Sequence, residues 1–278
     1  MAVSPAAHRA RRSARGIAAD LDGLRPPLKW AGGKRWLVPH LLRLWEPHRR
    51  RRLVEPLCGG LAVAIGLQPA HALLNDISPH AANFYRWLRA GLRVDLEMRN
   101  DAALYYRHRA CFNRLIADGG ADTAQAAGLF YFLNRTCYNG LCRFNSRGEF
   151  NVPFGRYATI NYRTDFSAYR AAFARWTFAC GDFAAVALRP GDFVYADPPY
   201  DVEFTRYAQQ DFGWDDQVRL ARWLARHRGP VALSNQATER IVELYTATGF
   251  ALTYLDAPRR ISCKTRTPAR EVLATRNL

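Results

Sequence analysis

Short apolar runs recur along the chain, separated by stretches in which apolar residues return every three or four positions. Five runs are compact: Leu53-Val54, Ala72-Leu73-Leu74, Thr177-Phe178-Ala179, Phe193-Val194-Tyr195 and Val231-Ala232-Leu233. Each reads as a strand buried on both faces. The intervening periodicity predicts helices over 34–45, 62–67, 79–90, 216–227 and 238–248. Alternating strands and helices imply an α/β protein, a mostly parallel sheet with helices on both sides. Two last runs, 250–255 and 271–275, bracket a basic loop and are expected to pair antiparallel. The rhythm breaks between 91 and 175. Helices are expected there over 104–116 and 125–134, then a hairpin over 140–154 that turns at Ser146-Arg147-Gly148. So long an excursion from an α/β sheet reads as a second, inserted unit. The division expected is a basic disordered tail over 1–24, a catalytic domain over 25–90 and 176–278, and a target-recognition domain over 91–175.

Composition narrows the class. The 278 residues are 49% hydrophobic, enough for a large core, and carry a formal net charge of +16. So basic a chain favours a polyanionic partner, nucleic acid first. Only Lys29, Lys34 and Lys264 are lysines, so an arginine-rich coding bias explains part of that excess. No uninterrupted apolar run is long enough to span a bilayer, so no membrane association is expected. The six cysteines form no C-x-x-C pair and no cluster with histidine, which predicts reduced thiols in the cytoplasm and no metal.

The chemistry concentrates at Asp197-Pro198-Pro199-Tyr200, directly after a predicted strand. Ligands bind at the carboxyl edge of such sheets. An exocyclic amine on a planar base is a poor nucleophile, because its lone pair is delocalised into the ring. Asp197 and the carbonyl of Pro198 can accept its two N–H bonds and free that lone pair. The rigid prolines, Pro199 included, fix the carbonyl, and Tyr200 offers a face for stacking. A solvated aspartate before a polyproline turn is the bland alternative, and neighbouring motifs weigh against it.

Those motifs supply a cofactor pocket. Leu53–Gly60 runs from a strand into a glycine turn, where Gly59 permits close approach of a ligand. Asp76 ends the next strand, placed either to hold ribose hydroxyls or to cap the following helix. Lys29-Trp30-Ala31-Gly32-Gly33-Lys34 can clamp a carboxylate beside an aromatic wall, although it lacks phosphate-loop spacing. Asp182 and Phe183 can flank an adenine ring. Ser234-Asn235 ends the fifth run beside the site, and a turn cap is its favoured reading. In the insertion, Arg135, Tyr138, Asn139, Arg143, Arg147, Arg156, Tyr157 and Arg163 interleave basic and aromatic groups suited to base edges and an extruded base.

With these motifs in order, the chain resembles the Dam-type DNA adenine-N6 methyltransferases from Lys29 to Arg276. The likeness rests on K-W-A-G-G-K at 29–34, N-G-L-C-R-F-N and R-G-E-F-N-V-P-F-G-R-Y within 139–157, D-P-P-Y at 197–200 and S-N-Q-A-T at 234–238. The resemblance implies a Rossmann-like methyltransferase sheet with an inserted helical and β-hairpin recognition domain. It implies S-adenosylmethionine as methyl donor, held by Trp30, Lys34, Gly59, Asp76 and Phe183, with Asp197 bordering the same pocket, and no metal. It places a flipped adenine against Asp197, Pro198 and Tyr200. Lys29, Asn139, Leu141, Arg143, Pro153 and Tyr157 are then expected on duplex DNA, with Tyr138 inserted and GATC as candidate target. A monomer at the nucleoid of a bacterium or phage host is expected, with a cognate restriction endonuclease as a candidate partner. Cytosine-N4 methylation, methylation of RNA or of a protein glutamine, and a non-catalytic DNA-binding remnant are the alternatives. The chain departs from the family's F-x-G-x-G loop at Leu57 and Leu61, and carries Thr136-Cys137 where an aromatic and a glycine are usual.

Overall fold

A computed structural model describes residues 24–201, 212–257 and 269–278. Most of the expected basic tail and Cys263 lie outside these residues. The five compact runs become β1 (Leu53–Glu55), β2 (Ala72–Asp76), β3 (Trp176–Cys180), β4 (Phe193–Ala196) and β5 (Val231–Gln236). With β6 (Ala251–Ala257) and β7 (Ala269–Arg276) they form one seven-stranded sheet in the order β3-β2-β1-β4-β5-β7-β6. The first five strands pair parallel. β7 enters antiparallel between β5 and β6, as the last two runs predict. The strand order reverses between β1 and β4, whose ends therefore border the crevice typical of Rossmann-like sheets.

Alternation along the strands decides which side chains face which layer. Leu53, Phe193, Tyr195 and Ala232 join the core on one face. Val54, Val194, Ala196, Val231 and Leu233 join the core on the other. The first core is covered by α1 (Val38–Trp45), α2 (Ala62–Leu67) and α3 (Pro79–Ala90), and the second by α7 (Trp214–Ala225) and α8 (Glu239–Ala247). Helix α1 begins four residues later than periodicity suggests. Pro39 lacks an amide donor and is tolerated only in a first turn.

The segment between α3 and β3 holds α4 (Ala102–Ala117), α5 (Ala124–Thr136) and α6 (Ser167–Phe173). Asp101 and Thr123 cap the first two by accepting from Leu104 and Ala126 amides. Helix α5 is apolar on every side and buried from Ala126 to Asn134. It packs on α3 through the stacked pair Phe84–Tyr131, at 5.4 Å between centroids. The insertion therefore shares the core beneath α3 with the sheet. Within that core His80 stacks on Phe144, and burial pushes its imidazole down to about 4.

The hairpin expected over 140–154 is reduced to one antiparallel bridge, Phe144↔Phe150. Backbone bonds from Asn145 N to Glu149 O at 2.9 Å and from Asn151 N to Arg143 O at 3.2 Å flank that bridge, and a side chain helps to close the turn. Asn145 Oδ1 accepts the amides of Arg147 and Glu149, and Gly148 donates to the Asn145 carbonyl. Chain from both units meets at Asn134, fully buried near the end of α5. Its Oδ1 accepts from Lys29 N at 2.8 Å and its Nδ2 donates to Lys29 O at 2.8 Å. Replacing Asn134 by Ala strands both backbone groups of Lys29. Urea unfolding should show a loss of about 2 kcal/mol, and an unchanged midpoint would refute the clasp.

Candidate active site and nucleic-acid face

Asp197 follows β4 directly at the carboxyl edge of the sheet, one strand from the glycine turn after β1. Its Oδ2 lies 3.2 Å from Lys34 Nζ. Its Oδ1 accepts from Ser234 Oγ at 2.9 Å, and Ser234 Oγ is 2.8 Å from the Tyr195 hydroxyl. Serine has one proton, so with Ser234 donating to Asp197 the phenol donates to Ser234. Burial raises the Asp197 carboxyl above its ordinary value, while the Lys34 ammonium and the Ser234 hydroxyl pull it back down. Ser234 therefore orients the key carboxylate and does more than cap a turn, which corrects the expectation from sequence.

Lys34 is nearly enclosed, at 4% exposure. Its ammonium donates to Gly32 O at 2.9 Å and sits 4.5 Å above the Tyr200 ring. Two further carboxyls complete the cluster. Glu271 arrives on β7; burial raises it, and Lys34 and the Tyr200 phenol lower it. Glu55 ends β1; burial, then Asp197, hold it well above the usual carboxylate range, although the Ala64 amide donates to it. Its Oε1 has no partner among the described residues. Burial, then the negative charge of Asp197 and Glu271, keeps the Tyr200 phenol protonated.

The two prolines are held differently. Gln217 Nε2 donates to Pro199 O at 2.7 Å, and Asn235 Nδ2 braces Gln217 Oε1 at 3.1 Å and the Tyr245 hydroxyl at 2.9 Å. Among the described residues none donates to Pro198 O. That carbonyl is thus free to accept at the strand end, and each Asp197 oxygen, holding one protein donor, can accept a second.

The adjoining pocket is built on the turn 57–61. An added Cβ at Gly59 would stand 2.7 Å from Trp30 Nε1, and one at Gly60 2.7 Å from Trp30 Cβ, so the indole lies directly on the turn. Leu61 takes the left-handed conformation, φ 62°, where the family's glycine would sit without strain. It is fully buried, so side-chain packing offsets that cost. Asp76 Oδ2 accepts from Gly59 N at 2.9 Å and Oδ1 from Ser78 N at 2.9 Å. The helix cap is Ser78, which accepts from Ala81 N, so the capping alternative for Asp76 fails. Asp76 ties the glycine turn to the end of β2. Asp182 and Phe183 are already engaged: Arg219 holds both Asp182 oxygens at 2.8 and 2.7 Å, and its guanidinium lies 4.2 Å over the Phe183 ring. Phe183 is buried against Phe212 and Trp223.

The predicted DNA residues gather around residue 29. Lys29 Nζ lies 3.7 Å over the Tyr157 ring and donates to Arg135 O at 3.0 Å; burial, then Arg135, lower its ammonium. The Tyr157 hydroxyl donates to Cys137 O, and Tyr138 N to Pro153 O. Tyr138 is 53% exposed and Leu141 39%. Asn139 takes a left-handed conformation between them. Arg143 Nε donates to Asn151 Oδ1 at 2.9 Å, which fixes the guanidinium plane. Thr136 and Cys137 are buried, so this departure from the family lies beneath the face.

Sequence reasoning missed Glu55, Glu271, Tyr195 and Gln217. Their partners are distant in sequence, and only a polar residue inside an apolar strand could have flagged the first two.

Residues 30–261 match the family described as D12 class N6 adenine-specific DNA methyltransferase. A DNA N-6-adenine-methyltransferase of Escherichia phage P1 is 39% identical over 269 residues, covering 90% of this chain and 35% of that protein. The chain thus spans about a third of the P1 protein. The retron Ec67 DNA adenine methylase of Escherichia coli is 35% identical, covering 84% of each. The DNA adenine methylase of E. coli K12 is 34% identical, covering 78% of this chain and 83% of its own. A carboxylate and a free carbonyl at a strand end, set beside a glycine turn, accompany a family match over most of the sequence: the chain belongs to the D12 class N6 adenine-specific DNA methyltransferases.

Proposed function

We propose that this chain methylates the N6 amine of an adenine extruded from duplex DNA, with S-adenosylmethionine as donor and a short site, GATC the leading candidate, as target. The observation that carries this reading is the Asp197 carboxylate, held by Lys34 and Ser234 beside the Pro198 carbonyl. Two acceptors at one strand end suit the two N–H bonds of an exocyclic amine. Tyr200 supplies the stacking face, and Lys34 over its other surface fixes the ring. Catalysis is then chiefly positioning and electrostatics.

The residues present suit the donor. The side-chain-free glycines let the Trp30 indole lie against the turn as an aromatic wall, and a Glu55 oxygen without a partner among the described residues lies buried nearby. Trp30, Lys34, Gly59, Asp76 and Phe183 would hold the donor, which supplies a methyl group made labile by its sulfonium. Within the chain, Asp197 and the Pro198 carbonyl accept the two N–H bonds of the amine, the proton shed as the methyl is gained leaves through Asp197 or to water, and the face around Lys29, Tyr138, Asn139, Leu141, Arg143, Pro153 and Tyr157 grips the duplex. All of these side chains belong to one copy of the chain, so a monomer suffices.

Expression in a methylation-deficient host, followed by mass spectrometry of digested DNA and mapping of modified positions, tests the reading. N6-methyladenine at one short motif is expected, falling at least about a thousandfold in Asp197→Ala, with DNA binding retained. N4-methylcytosine, or full activity in that variant, would overturn it. A second prediction concerns pH. Asp197 must be ionised to accept the amine proton, and Ser234 lowers its pKa. Ser234→Ala should therefore move the acidic limb of single-turnover methylation upward by about one pH unit. An unmoved or downward-shifted limb would contradict the role given to Ser234.

A further inference from the structure

The edge of the sheet opposite the active site carries a second charged feature. Arg52, His71, Arg175 and Arg189 line one cavity of about 340 Å³, with Ala72 and Thr177. These residues sit at the starts of β1, β2 and β3 and in the turn before β4. Register places Leu53 beside Ala72, Ala72 beside Trp176, and Leu53 beside Phe193, so the cavity bridges four adjacent strands. A five-residue strand separates it from the Asp76 end of β2, about 17 Å at the usual rise.

Its charge is not neutralised from within. No carboxylate lines the cavity. The nearby Asp192 is spent: both oxygens take Arg52, at 2.9 and 2.6 Å, and Oδ2 also accepts the Arg189 amide at 2.6 Å. This pins Arg52 and the turn bearing Arg189, and Arg51 adds a bond to Gly191 O at 3.0 Å. By contrast, the side chains of Arg175 and Arg189 are exposed and meet no acceptor among the described residues. Rigid backbone thus presents two free guanidiniums and an imidazole to one concavity. Guanidinium forks match phosphate oxygens bidentately, and a concavity lined by one sign of charge concentrates counter-ions.

We infer that this cavity is a phosphate-binding site for the backbone of a DNA segment other than the one presented to Asp197. The assignment rests on DNA as the substrate. A duplex on the face around Lys29 and Asp197 is held at the carboxyl edge, and this site lies at the amino edge. It is therefore engaged by a distant stretch of the same long molecule that bends back. Its contribution is sequence-independent and is lost as salt rises.

The test compares the full chain with its Arg175→Ala/Arg189→Ala variant. Binding is measured to a short duplex with one target site, and to the same site within long DNA, across a salt series. The variant should bind and methylate the short duplex as the parent does. It should bind long DNA about tenfold more weakly, with a log–log salt slope shallower by about 1 to 2. Arg175→Lys/Arg189→Lys should recover most of the difference. Both arginines are exposed, and equal melting temperatures will confirm intact folding. Unaltered long-DNA binding would overturn the inference. Equal loss on both lengths would also overturn it, because the arginines would then belong to the methylated face. Pyrophosphate that stabilises the parent but not the variant, with long-DNA binding unaltered, would assign the cavity to a small anion instead. Failure of the parent to methylate the short duplex would count against the proposed function, and leaves the length comparison readable by binding alone.

Discussion

A carboxylate buried at a strand end must remain charged to accept a proton from a weakly acidic amine, and the architecture answers to that constraint. Burial alone pushes the Asp197 carboxyl toward its neutral form. Lys34 opposes this across 3.2 Å and Ser234 across 2.9 Å. The opposing groups come from different places: the loop before α1 and strand β5. Reversal of strand order at β1 and β4 opens the crevice, and β5 lies next to β4 so that Ser234 reaches its end. Glu271, on β7 two strands from β4, adds a second carboxyl to the same ammonium. One lysine thus faces two carboxyls, Asp197 and Glu271, while Glu55 beside Asp197 is displaced well toward neutrality.

The segment 29–34 joins three tasks in six residues. Lys29 stands with Tyr157 on the nucleic-acid face. Trp30 lies on the glycine turn. Lys34 holds Asp197. Asn134 clasps the backbone of Lys29 from inside the insertion. A shift of α5 against the sheet would therefore be felt at the proposed DNA face, at the glycine turn and at the Asp197 carboxylate together. The shared core beneath α3 restrains such a shift.

Much of this was legible in the sequence, for a physical reason. Strands β1 to β5 are short apolar runs that, outside the segment 91–175, alternate with amphipathic stretches, so their existence follows from local pattern, and D-P-P-Y announces itself by residue type. What escaped detection depends on long-range partners. Ser234 acts on a residue 37 positions earlier, and Glu271 looks like a charge on a terminal strand. The hairpin is shorter than expected, a single bridge whose turn Asn145 closes by accepting the amides of Arg147 and Glu149. Asp182 looked available and is instead paired with Arg219 of α7. Leu61 shows the opposite: a glycine position filled by leucine keeps the left-handed backbone, since the buried side chain repays the strain.

The chemistry at the strand end turns on the Lys34 ammonium favouring the ionised form of Asp197. The most direct measurement is a carbon NMR titration of the full chain labelled at aspartate carboxyls, with Asp197 assigned through Asp197→Asn and the titration repeated in Lys34→Met. The account predicts an Asp197 carboxyl that ionises below neutral pH in the parent chain and at distinctly higher pH once the ammonium is gone. An Asp197 that titrates identically in both would contradict it.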